Sequence, residues 1–309
     1  MGIVNGINIV NNLIAGSMSG AQLQTYLATG ANLASFVQVT NVRRQLQVLR
    51  NTPAAVTAVT ASSTALALIG NNETALRIWA LYGTSYNWRS FAGLTAVLAS
   101  APAMAEVAAS PTAMAPIIAS STAMTAAAAS ATAMTAIAAS PAAMTALAAS
   151  SSAMAIVAAS STAMTALVAS SSAMTAVAAS TTAKMAMFAD DVALAAIAGS
   201  STALTALRGA AGYAVSSAVS STSAQALPGA TAGASYILLG VSCASSGSNT
   251  ITSITTRRSG SARPITASVP AAGTDATKTT MCTPLVSPFN WTSNLTGQTW
   301  YFGLLRCDV

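Results

Sequence analysis

The side chains best suited to chemistry are few and far apart. The chain has 309 residues, with no histidine, twelve Lys or Arg and six carboxylates. Without histidine it lacks the commonest general base and the commonest metal ligand. The carboxylates are Glu73, Glu106, Asp190, Asp191, Asp275 and Asp308, and they are too scattered to suggest a paired acid and base. Cys243, Cys282 and Cys307 form no CxxC spacing, and no histidine can complete a zinc site. They read as buried free thiols, with one disulfide or an inter-subunit bond as the alternatives. Ser and Thr are abundant but lack a positioned base, so no activated nucleophile can be argued. GATAGA at 229–234 has no Lys after it and no strand-to-helix setting, so it is not a phosphate loop. The expectation is a chain that is not an enzyme, with no catalytic residue, no cofactor and no metal.

Recognition by a surface is the remaining chemistry. The net charge is +6, yet the basic residues form no run. Their tightest groups are Arg43, Arg44 and Arg50, then Arg257, Arg258 and Arg263. A nucleic-acid site needs a clustered basic stripe, so solvated surface is the better reading, with contacts to acidic partner surfaces as the alternative. Trp291, Trp300, Tyr301 and Phe302 read first as core. Their functional alternative is a shallow aromatic surface for a carbohydrate or protein receptor. Arg257, Arg258 and Trp291 are therefore the candidate receptor residues.

What positions these groups is a decapeptide repeat, and such periods dominate any other signal. From residue 91 the chain divides into twelve blocks of ten without insertion or deletion, of the kind STAMTALVAS and SSAMTAVAAS. Ser recurs at every tenth position from Ser100 to Ser180, and Asp190 and Ser200 continue the series. One slot holds Met104, Met114, Met124, Met134, Met144, Met154, Met164 and Met174. Three residues on lies an aliphatic slot, from Val97 to Leu207, in which only Ala127 is small. The frame also extends upstream to Phe36 with Val39, interrupted by LYGTSYNWRS at 81–90. Lys184 departs from the plain repeat.

Each block predicts a helix of about two turns. Ser is a strong N-cap, because its hydroxyl accepts from exposed amides of the first turn. Pro111 and Pro141 directly follow a Ser, at the first helical position that Pro favours. Met and the aliphatic residue then share one face. The break at each Ser follows from arithmetic. Ten residues turn an α-helix by about 1000°, some 80° short of three turns. An unbroken helix would carry the Met stripe around its whole surface, and no seam could be buried. Helices this short are unstable alone, so neighbours must stack. A coiled coil is disfavoured by the period and by Pro102, Pro111, Pro116 and Pro141. Strands are disfavoured by the alanine content. A membrane span is disfavoured by recurrent Ser, Thr and Pro, although residues 107–183 carry no charge.

The whole chain then reads as α+β, an elongated α-helical decapeptide-repeat solenoid or stalk followed by a small antiparallel β-sandwich. Residues 1–35 form an attachment or cap segment, without a secretory or lipidation signal. Residues 36–211 form the repeat region, 212–234 a linker or neck, and 235–309 a β domain. In the last, SYILLGVSC (235–243), NTITSITT (249–256), RPITASV (263–269), KTTMCTPLV (278–286) and QTWYFGLLRC (298–307) predict strands between turn clusters.

Blocks of the form S-x-T-A-M-x-A-V-A-A-S, in long tandem and followed by a Gly/Ser-rich β domain, resemble those of tailed-bacteriophage virion structural proteins of the fibre and decoration type. The resemblance covers roughly residues 36–210. It implies a virion appendage with one end attached and the other exposed, a homotrimer that also contacts other virion proteins. It carries over no catalytic residue. The alternatives are an adhesin tip that binds a host glycan or receptor, and a capsid decoration protein. An ice-binding repeat is disfavoured, because Met and aliphatic residues account for the regular face. Neither nucleic acid nor membrane is expected as a partner.

Overall fold

The computed structural model describes residues 92–219, 225–226, 231, 233–244, 249–254, 267–269, 279–286, 290–293 and 296–309. The expected cap at 1–35, the upstream frame at 36–91 with its interruption at 81–90, and Arg257 and Arg258 lie outside the described residues. Among the described residues the fold is α+β, helix-rich with antiparallel strands. The chain divides into two compact units, Met1–Ala146 and Leu147–Val309.

In the first unit every described block is a helix. They are α1 (Ala92–Ala99), α2 (Ala101–Ala109), α3 (Pro111–Ala119), α4 (Ser121–Ala128), α5 (Ala131–Ala139) and the start of α6 (Pro141–Ala148). A single extended serine separates most of these helices, such as Ser110 with φ −109° and ψ 108°, and between α4 and α5 Ala129 precedes Ser130. At Ser130 the chain turns by 98° between α4 and α5. α1 contacts α4 and α2 contacts α5, in each case the third helix along. Pro111 stands at the first helical position, as its lack of an amide favours. Pro116 sits inside α3.

The second unit continues with α7 (Ser151–Ala158), α8 (Ser161–Ala169), α9 (Ser171–Ala179), α10 (Thr181–Ala189), α11 (Asp191–Ala198) and α12 (Ser201–Arg208). The contacts repeat the rule: α7 with α10, α8 with α11 and α9 with α12. The turn between α8 and α9 is 101°. Among the described residues no single helix is long and apolar enough to cross a membrane.

Among the described residues eight strands follow: β1 (Tyr213–Val219), β2 (Gln225–Ala226), β3 (Ser235–Cys243), β4 (Asn249–Ile254), β5 (Ala267–Val269), β6 (Thr279–Val286), β7 (Asn290–Ser293) and β8 (Thr299–Arg306). They form two antiparallel sheets of order β1-β8-β3-β6 and β2-β7-β4-β5. The linker expected at 212–234 is corrected here. It contains β1, which pairs along its full length with β8, from Tyr213 opposite Leu305 to Val219 opposite Thr299. The partner strand lies some eighty residues further along the chain, so no local pattern announces the pairing.

At β3 the first sheet is covered on both sides. β3 is buried from Tyr236 to Cys243, which an antiparallel strand shows only when neither face meets water. Tyr236, Leu238, Val241 and Cys243 cluster with Trp291, Trp300 and Phe302, so this face meets the second sheet through Trp291 of β7. The other side meets the helices, through α10 on β3, α11 on β6, and α12 on β1 and β8.

Candidate functional site

The repeat geometry begins with three or four buried positions per block. In α8 these are Ala163, Met164, Leu167 and Val168. Met104, Met114, Met124, Met134, Met144, Met154, Met164 and Met174 are all 0% exposed. The aliphatic slot is equally buried, including Ala127. The ladder is therefore covered within one chain, and no second copy is needed to hide it. The alanine just before each Met, from Ala103 to Ala173, is buried as well, as are Ala108, Ala138 and Ala158 just after the aliphatic slot, and nothing in the sequence marks them because alanine occurs everywhere.

The serine between helices does more than cap. At Ser140 the Oγ accepts from the Ala143 amide at 3.3 Å and donates to the Ala108 carbonyl at 2.6 Å. The same donation runs from Ser130 to Leu98, from Ser180 to Ala148 and from Ser200 to Val168, at 2.6–2.7 Å. Each crosses thirty-two residues, one helix onto the third before it. Asp190, in the same slot, accepts from the Val192 and Ala193 amides instead. A hydroxyl can accept and donate at once, whereas a carboxylate only accepts.

The outer face of the array is smoother than its composition suggests. Thr145, Thr165 and Thr175 are exposed, yet each hydroxyl donates to its own helix four residues back at 2.8 Å. Those hydroxyls are held against the backbone, and the uncharged face is largely one of small side chains.

Of the candidate receptor residues, Trp291 is corrected. It is 1% exposed and packs edge-on to Phe302 at 4.9 Å and tilted to Trp300 at 5.8 Å. Such aromatic packing is core, and a buried ring offers nothing to a receptor. The indole nitrogens of Trp291 and Trp300 are buried without a hydrogen-bond partner. Trp300 and Phe302 are core as expected, while Tyr301 is half-buried.

The three thiols are free, Cys243 and Cys307 buried and Cys282 half-buried. Burial pushes Cys282 and Cys307 up to about 12, against the smaller opposing pull of Arg208 on the first and Lys184 on the second. Such thiols stay protonated and are poor nucleophiles. Near Cys307, Arg306 holds Asp308 through Nε–Oδ1 at 3.0 Å and Nη2–Oδ2 at 3.3 Å. That hydrogen bond keeps the Asp308 carboxyl below its ordinary value. Among the described residues no three of His, Cys, Asp and Glu come together as metal ligands would.

Two cations stand where helices meet the first sheet. Lys184 occupies the methionine slot of α10, is 3% exposed, and donates through Nζ to the Val309 main-chain oxygen at 2.5 Å. Arg208 ends α12 and donates through Nη2 to the Leu239 carbonyl at 2.8 Å. The sequence marked Lys184 as a departure but did not pair it with anything. The two groups bond main-chain oxygens of the same chain, an arrangement that fixes elements and performs no reaction. Comparison with protein-family models and with curated proteins gives no match.

Proposed function

We propose that this chain is a non-enzymatic structural subunit of a tailed-bacteriophage virion, a fibre or appendage protein that works as a homo-oligomer. In this reading the third-neighbour stacking continues through the repeats as a solenoid, and the two sheets close a small sandwich at its end. Its role is mechanical: a stiff spacer attached to other virion proteins at one end. The observation that carries the reading is the serine-pinned array, with its uncharged stretch at 107–183. A solvated helical array ordinarily carries Lys and Glu, so a face without them suits close approach between identical chains. A trimer is the favoured stoichiometry, since closed symmetry is the usual outcome of repeated self-contact.

Mass measurement of the full chain in solution tests the self-association, and imaging of phage particles with the labelled chain tests the location. A stable monomer at micromolar concentration that never decorates a particle would overturn the reading. Glycan binding by the chain would shift it to the adhesin alternative, whose surface then rests on Arg257 and Arg258 without Trp291.

A further inference from the structure

The methionine slot is apolar in every other block from Leu94 to Leu204, and those side chains are buried. Lys184 breaks the series at a position where an ammonium without an acceptor would be very costly. Its acceptor comes from 125 residues away, the main-chain oxygen of Val309. That residue lies beyond the last paired residue of β8, so the sheet ladder leaves its oxygen over.

Arg208 has a matching partner. The pairing of β3 with both β6 and β8 shifts register between Leu238 and Gly240, which leaves Leu239 without a partner on either strand. A bulge of this kind disrupts the ladder locally and re-aims backbone groups. The Leu239 carbonyl is the oxygen that Arg208 takes. Two cations of the array thus meet two main-chain oxygens that the sheet does not use, one on β3 and one past β8.

We propose that Lys184 and Arg208 form a two-point latch that makes the last helices of the array and the first sheet order together. Without the docked sheet, Lys184 strands a charge inside the methionine ladder, and α10 cannot close its packing. With the sheet docked, Lys184 Nζ and Arg208 Nη2 each have an acceptor, although Arg208 Nε stays buried without one, and the two bonds fix the sheet's register on α10 and α12. The latch rests on contacts within one chain and stands apart from the virion reading.

Hydrogen exchange on the full chain tests it through a double-mutant cycle. Removing Val309 takes away the Lys184 acceptor but little packing, because its side chain is mostly exposed. Exchange of amides in α10–α12 and β3 should then quicken about tenfold to a hundredfold, the worth of a hydrogen bond to a charged group. Lys184→Met, which restores the repeat residue, should return the shortened chain to parental protection. In that background the deletion should have no effect. Unchanged exchange in the shortened chain, or a loss that Lys184→Met does not rescue, would overturn the latch.

Discussion

Replacing Ser140 by Asp separates the two jobs of the repeat serine. As an N-cap, Asp equals Ser, so capping alone expects a change near zero. Asp190 already performs that task in the same slot. The hydroxyl donation to Ala108 at 2.6 Å is different, because a carboxylate has no proton to give. Ala108 is the next-to-last residue of α2, whose final carbonyls have no partner in their own helix. Leaving that carbonyl unsatisfied costs about 1–3 kcal/mol. Ser140→Asp should therefore destabilise by about 1–3 kcal/mol. Ser140→Ala adds the lost cap, about 1 kcal/mol more. Ser140→Thr keeps both functions and should stay within about 1 kcal/mol of the parent. Exchange rates of amides in α2 and α5 read the differences directly, each tenfold corresponding to about 1.4 kcal/mol. An Asp variant as protected as the parent would refute the reasoning and reduce the serine to a cap.

Met154→Ala opens a cavity at a fully buried site and should cost about 2–5 kcal/mol, read as a lower melting temperature. Replacing Met134 and Met144 together by Asp should abolish the folded array, visible as loss of the helical circular dichroism signal. Trp291→Ala should cost about 3–5 kcal/mol, read as a lower melting temperature, because the ring is core. For the thiols, the folded state keeps protons that the unfolded chain releases above the ordinary value of 9.0. Their contribution is intact below that value and is lost as pH rises toward about 12, by up to about 1.4 kcal/mol per pH unit per thiol. Denaturant melts between pH 8 and 11 check this, and slow alkylation of Cys282 and Cys307 in the native chain should accompany it.

The helices were legible because their signals are local. A serine every ten residues, prolines just after it and an apolar pair three apart each act within one block, and α2 to α12 follow those boundaries. The strands that were legible, β3, β4, β5, β6 and β8, fall within runs that carry β-branched or aromatic residues and are bounded by turns. β1 was not, because YAVSSAV is half small and polar, and its stability comes from β8 and α12 rather than from its own composition. The serine-to-carbonyl bonds were hidden for a similar reason. A thirty-two-residue step exists only once the third-neighbour stacking is known. Trp291 was ambiguous because an aromatic ring serves a core and a receptor surface equally well in one dimension.

Short helices carry a problem that the array solves with one residue type. A helix leaves four amides and four carbonyls unpaired at its ends, so a helix of eight or nine residues is almost all ends. At Ser140 the amide donates to Ile137, closing α5, and the carbonyl accepts from Met144, opening α6, both at 3.0 Å. The hydroxyl accepts from Ala143 and donates to Ala108. One residue thus serves three helices, and it can do so only from an extended conformation that also turns the chain. This explains why serine holds the slot so regularly. Aspartate caps only as an acceptor and glycine only turns the chain, whereas serine is the smallest side chain that both accepts and donates in the same crowded corner. It also explains why charge is dispensable in the repeats. Their end groups are satisfied internally, and the ladder is covered by the chain's own helices. The exposed positions are thereby left free for small uncharged residues.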